Sequence, residues 1–345
     1  MELIQSIMLL VLVLIVPKLR KAYFFPSCNF SHDSKVEGRI VFFDFARGIA
    51  ITAVVLIHSI YLFFEKYPYF NTFWLNNINN LSRFAVGFFF ISSGALLTSG
   101  ITKEKIVRVF VPYVIVCVIT GILQQKSLNL IIGGIFRGDL LPPYYFIPVL
   151  FQFYLIFPLL KKFRHKKYFL FVSILISYLF YMTPRLAYIA GVPTFGPFLF
   201  LFAFGIVYSE KLKSKTPFEN INFWLLITPI YIGLQFILTG HYFNSRYFYA
   251  PAFLISIHYT WYKFDFLKKL NFFVMFGKLS LWIYLVHFSV QSFLVRLIIY
   301  DFSYLVFVYI FLISALTAIA SGIISAILDK IYQGVYKLTN ARAYK

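Results

Sequence analysis

Three ionisable side chains fall within one apolar run of this chain: Asp44, Arg47 and His58 in IVFFDFARGIAITAVVLIHS (40–59). Ionisable groups inside such a run are costly to hold in an apolar medium and therefore point to function. At 100° per helical residue the three share a stripe about 60° wide, which places them together on one helix face. Asp44 and Arg47, spaced i,i+3, can pair. His58 lies 14 residues beyond Asp44, about 21 Å along a helix at 1.5 Å per residue, so the three cannot act as a catalytic triad. Imidazole has an unperturbed pKa of about 6.5 and suits general-base chemistry. Its other reading is a packing histidine bonded to a neighbouring helix. His287, in LSLWIYLVHFS, is a second intramembrane candidate, and His258 reads as packing. His32, His165 and His241 fall in loops, and no two histidines have metal-site spacing, so no metal is expected.

The elements that must position these groups are membrane helices. The chain has 345 residues, of which 61% are hydrophobic and only 13% charged, against about 25% charged in soluble domains. A soluble fold could not cover itself with so little polar surface. Spans are expected near 3–17, 40–64, 82–99, 107–124, 145–160, 168–183, 196–209, 222–239, 247–262, 273–297 and 303–329, with 129–136 as a half-helix or re-entrant segment. Lipid forces them to be helical, because every backbone N–H and C=O must be satisfied within its own segment.

The net charge of +20 lies between the apolar runs, not on a polar module, so it does not signal nucleic-acid binding. Alternate loops carry Lys18, Arg20 and Lys21, then Lys103, Lys105 and Arg108, then Lys161, Lys162, Arg164, Lys166 and Lys167. The opposite loops are poorer in Lys and Arg by about three to one, which assigns the rich set to the cytoplasm. With an odd number of spans the N-terminus is then outside and the C-terminus cytoplasmic. The first span has its positive charges after the apolar run and no small-residue cleavage site, so it reads as a retained anchor. The expected fold is all-α: a polytopic transmembrane bundle with a ten-helix core and one N-terminal anchor helix. Its divisions are 1–35 (anchor and linker), 36–329 (transmembrane domain) and 330–345 (basic tail). Cys28 and Cys117 form no motif.

Five blocks, in order, resemble the membrane acyltransferase-3 family. They are RIVFFDFARGIAITAVVLIHS (39–59), GFFFISSGALLTS (87–99), KIVRVFVPY (105–113), YYFIPVLFQFYLIFPLL (144–160) and FGKLSLWIYLVHFSV (276–290). Two positions depart from the family pattern. Lys105 replaces an Arg and so lacks the bidentate fork, and Pro143 stands where many members have His. The resemblance implies acyl transfer, commonly acetyl, from cytoplasmic acyl-CoA to a hydroxyl of a cell-surface glycan or related acceptor. On that reading His58 is the base, and Arg47, Lys105 and Arg108 receive the CoA phosphates, for which cationic groups are suited. Lys105 and Arg108 also read as ordinary cytoplasmic-side anchors. Asp44 shapes the inner end of a channel. Ser93, Tyr145, Tyr284 and His287 line the acceptor side or pack between helices, and Ser93-Gly94 also reads as a close-approach pair. The partners are the bilayer, acyl-CoA and the acceptor. The competing reading is a transporter or flippase for glycans or small polar solutes, against which stand the lack of an internal repeat and the position of the charges near span ends.

Overall fold

The computed structural model describes residues 17, 39–67, 73–215, 218, 220–237, 246–297 and 306–343. The expected anchor and its linker therefore lie outside the described residues, apart from Pro17. Among the described residues the only strands are the two-residue β1 (Tyr188–Ile189) and β2 (Val192–Pro193), paired antiparallel; turns and short irregular segments join the helices.

The helices are α1 (Val41–Lys66), α2 (Phe73–Ser82), α3 (Phe84–Leu96), α4 (Lys103–Leu123), α5 (Leu128–Arg137), α6 (Phe146–Phe163) and α7 (Phe169–Met182). They continue with α8 (Leu199–Val207), α9 (Ile221–Ile237), α10 (Arg246–Lys263), α11 (Asn271–Lys278), α12 (Ser280–Leu297) and α13 (Val306–Ala343). Four stretches are long and apolar enough to cross a bilayer: Val41–Lys66, Lys103–Leu123, Pro142–Phe163 and Val308–Gly334. A fifth exists if α11 and α12 count as one span, although the chain bends by 87° between them. These match the expected spans 40–64, 107–124, 145–160, 303–329 and 273–297.

The other expected spans form helices that are shorter or less apolar. α3 has 13 residues, about 20 Å at 1.5 Å per residue, which is less than the roughly 30 Å hydrocarbon thickness. α8 has nine residues, all buried, so its surroundings are protein and it needs no lipid-spanning length. α10 is long enough, but its tyrosines, His258 and Arg246 keep it below spanning hydropathy. The 129–136 segment is the short helix α5, closed by Gly138 in the left-handed conformation at φ 66°. α13 runs through position 329 to Ala343 without a break.

Glycines set the closest approaches in the core. A Cβ on Gly94 of α3 would strike the Phe202 carbonyl of α8, and one on Gly205 of α8 would strike the Ile91 carbonyl of α3. The same reciprocity joins α1 to α11. Gly48 meets the Phe273 carbonyl and Gly277 meets the Asp44 carbonyl. Lipid gives no hydrophobic drive between helices, so backbone contact at small residues supplies the packing attraction.

α4 contains a π turn over Ile106–Phe110, where the Val111 N–H reaches back to the Ile106 carbonyl. In that register the Val107 carbonyl would need the N–H of residue 112, which is proline and has none. The hydroxyl of Tyr332 on α13 donates to the Val107 carbonyl instead. Pro112 thus accounts for both the widened turn and the tie to α13.

Candidate active site

His58 and His287 come together. α1 and α12 bring their imidazoles to a centroid separation of 5.3 Å, and Phe288 stands edge-on to His58 at 5.4 Å. His287 is fully buried. Its Nδ1 lies 3.0 Å from the Ile283 carbonyl and 2.8 Å from the Tyr284 carbonyl. Carbonyls only accept, so Nδ1 carries the proton and Nε2 holds a lone pair. That Nε2 has no hydrogen-bond partner among the described residues. A neutral imidazole with its acceptor nitrogen held in a buried site is the form a general base requires.

The surrounding wall is aromatic. Tyr284 lies 6.1 Å from His287 and 5.6 Å from Phe146, ring to ring. Tyr145 stacks on Phe198 at 6.1 Å. Tyr144, beside the departure Pro143, donates 2.8 Å to the Leu285 carbonyl of α12, which fixes the start of α6 against the His287 helix. Ser93 is partly buried next to Gly94, and the Gly94 contact shows the close approach that the Ser93-Gly94 pair allows.

The other end of α1 departs from the expected pairing. Asp44 is taken by Arg39, with Nε to Oδ2 at 2.6 Å and Nη2 to Oδ1 at 3.0 Å. This two-point grip satisfies both carboxylate oxygens. It raises the Arg39 pKa above its ordinary value, the Asp44 hydrogen bond being the main cause. Arg47 points to α3, with its Nε 3.5 Å from the Ser92 hydroxyl. The i,i+3 geometry allowed Asp44 and Arg47 to pair, but Arg39 reaches Asp44 from the turn before the helix with better fork geometry. Asp44 and Arg47 are not brought to His58.

The basic candidates on α4 are both engaged. Lys105 donates to the Ser99 carbonyl, to the Ser99 hydroxyl at 3.1 Å and to the Gly100 carbonyl at 2.7 Å. Arg108 pairs with Glu104 at 2.7 Å, both largely exposed. The stronger cationic feature is a cleft of about 550 Å³ lined by Ser99, Gly100, Pro158, Lys161, Lys162, Arg164 and His165. Lys105 braces its wall through Ser99 and Gly100. Sequence reasoning counted Lys161, Lys162 and Arg164 only as topology markers. The signal that they form a site was their position just after Pro158, opposite the Ser99-Gly100 turn, and only the fold shows it.

His258 is a packing residue: its Nε2 is 3.0 Å from the Ser214 carbonyl, and Phe42, Phe218 and Tyr262 surround it edge-on. His32 and His241 lie outside the described residues. Among the described residues no three His, Cys, Asp or Glu side chains gather as a metal site would need.

One half-buried and one fully buried histidine thus meet in a helical fold that carries a cationic cleft elsewhere. The model of a family described as an acyltransferase domain, acyltransferase-3, matches residues 40–326. The chain belongs to that family and is a membrane protein that transfers acyl groups. Neither the curated proteins nor the solved structures contain a match.

Proposed function

We propose that the chain is an O-acyltransferase that moves an acyl group, acetyl in the simplest case, from cytoplasmic acyl-CoA to a hydroxyl of a cell-surface glycan or related acceptor. The juxtaposition of His58 and His287 carries this reading. His58 takes the proton of the acceptor hydroxyl as the oxygen attacks the thioester carbonyl. Its ring nitrogens make no hydrogen bond within the described residues, so they are open to a substrate. Tyr284, Tyr145 and Ser93 line the approach. The CoA phosphates dock in the Lys161–His165 cleft, with Lys105, Arg108 and Arg47 contributing charge on the same side of the bundle. Asp44 holds Arg39 at the inner end. The remaining short helices complete a ten-helix core, with the N-terminus outside and the basic C-terminal helix end in the cytoplasm, as the loop charges require.

The test is transfer of labelled acetyl from acetyl-CoA in membranes carrying the chain and its His58→Ala variant. A loss of about 10²-fold or more is expected on removing a general base; full activity in that variant would remove the assignment. A transporter or flippase has no need to bind CoA. Saturable CoA binding by the purified chain therefore separates the two readings.

A further inference from the structure

Helices α4, α12 and α13 leave a groove of about 630 Å³ between them. Its lining is mostly aliphatic, with Ile115, Ile119 and Leu123 on α4, Val286 and Ser289 on α12 and Leu328 on α13. The three α4 side chains are exposed. Ser289 is exposed as well, and its hydroxyl makes no hydrogen bond among the described residues. The carbonyl one turn back, that of Leu285, is taken by Tyr144. A hydroxyl left unpaired in an apolar medium is costly, so Ser289 points to an occupant that brings a polar group to its level.

The described chain begins at the inner end of this groove. Tyr332 and Val107, both in its lining, are joined there by the hydroxyl-to-carbonyl bond. Trp282, also in the lining, donates its indole to Asp329 at 3.1 Å. The charge of Asp329 acts in turn on Arg39. Residues 1–38 therefore lead in beside the groove. They contain one long apolar run, 3–16, in which only Gln5 and Ser6 are polar. Lys18, Arg20 and Lys21 follow it and set its later end in the cytoplasm.

Length and level both agree. From Val107 to Leu123 the α4 wall rises roughly 24 Å, and a helix over 3–16 would rise roughly 20 Å, at 1.5 Å per residue. Asp329 is three residues from Tyr332 on α13, which puts Trp282 about 4.5 Å above the Val107 level. Ser289 is seven residues beyond Trp282, hence about 15 Å above that level. With Val16 set level with Val107, where both apolar runs end, Ser6 also falls about 15 Å up. The polar pair Gln5 and Ser6 thus arrives at Ser289. The acyl chains of the bilayer could fill the same space, but they carry no polar group at that depth. The run is also tethered: residues 17–38 reach at most about 75 Å, and such a tether gives a local concentration of about millimolar order.

We propose that the run 3–16 of this same chain seats in the α4–α12–α13 groove, with Gln5 or Ser6 bonded to the Ser289 hydroxyl. The run lies before the family match, which begins at residue 40. Seated there, it covers the lipid side of the helix that carries His287, and it is a wall of the bundle instead of a detached anchor. Its seating does not depend on acyl transfer.

Cysteine pairs in the full chain in membranes test this, with Cys28 and Cys117 replaced by alanine. Gln5, Ser6, Ile7, Met8 and Leu9 are changed to cysteine one at a time, which samples every side of a helix at that level. Each is combined with Ser289→Cys, and a disulfide needs Cα atoms within about 7 Å. Mild oxidation is expected to give an intramolecular disulfide at one or two of the five positions. Its yield should be at least about tenfold above that of the same positions paired with Ile230→Cys on α9, an exposed control. Val13→Cys with Ser289→Cys, about 10 Å out of level, should give none. Equal yields with Ser289→Cys and Ile230→Cys, or a disulfide from Val13→Cys, overturn the seating. No disulfide at any of the five positions also overturns it and leaves the groove to lipid. With the two cysteines on separate, differently tagged chains, a disulfide at the same yield would make a second copy the occupant and overturn seating within one chain. Ile119→Trp, which fills the groove from an exposed position, should cut the yield about tenfold, whereas Ile230→Trp should not. An undiminished yield in Ile119→Trp places the contact outside the groove and overturns the proposal.

Discussion

The His58 and His287 rings stand 5.3 Å apart although they come from opposite ends of the described chain. Two carbonyls fix the tautomer of His287, whereas no described residue hydrogen-bonds the His58 ring. On the proposed reading His58 is the base, and His287, its tautomer fixed, stands beside it and shares in the proton transfer.

His287→Gln removes the preset Nε2 while leaving His58 in place. The expected outcome is a fall in kcat of about 10²-fold, within the range for loss of a group acting in proton transfer, with CoA binding unaltered. Steady-state acetyl transfer alongside equilibrium CoA binding checks it. Equal weakening of both would show that His287 only packs.

Lys161→Ala/Lys162→Ala should raise KM for acetyl-CoA about tenfold and flatten its dependence on ionic strength, because exposed charge pairs are screened by salt. Arg108→Ala should have a smaller effect, since Arg108 is already paired with Glu104. KM measured across a salt series distinguishes the cleft from the α4 motif as the donor site.

Gly94→Ala and Gly277→Ala each drive a methyl into a backbone carbonyl of a neighbouring helix. A cost of about 1–3 kcal/mol is expected for such overpacking, read as a lower Tm in detergent. Gly233→Ala in α9 meets nothing within 4 Å and should instead stabilise by about 0.5–1 kcal/mol through helix propensity.

Arg39→Lys keeps the charge but loses the two-point grip on Asp44, and Asp44 is buried. Tm should fall, and Arg47→Lys, whose one hydrogen bond is long at 3.5 Å, should shift it less. Paired thermal melts decide the order.

Much of this was legible in the sequence, and for identifiable reasons. A run such as Val41–Lys66 declares itself by length and apolarity, and a histidine within it declares itself by cost. The family followed from five short blocks. What stayed hidden depended on neighbours remote in the chain. Asp44 chose Arg39 over Arg47 because fork geometry outweighs helical spacing. Gln291 sits four residues from His287 on the same helix, but the contact of its amide with the Val55 carbonyl and Ser59 of α1 shows only in the fold. The lengths of the short helices α3 and α8 were not legible, because burial in protein and burial in lipid select the same apolar residues.

The 87° break at Leu279 makes α1 a ruler. Gly277 rests on the backbone of Asp44, so the height of the His287 helix is referenced to the start of the very helix that carries His58. One added residue between Asp44 and His58 would lift His58 by about 1.5 Å and swing it by about 100°, while His287 stayed where it was. The number of residues between those two positions is thus a dimension of the His58–His287 pairing in its own right, set by the chain and not by either ring.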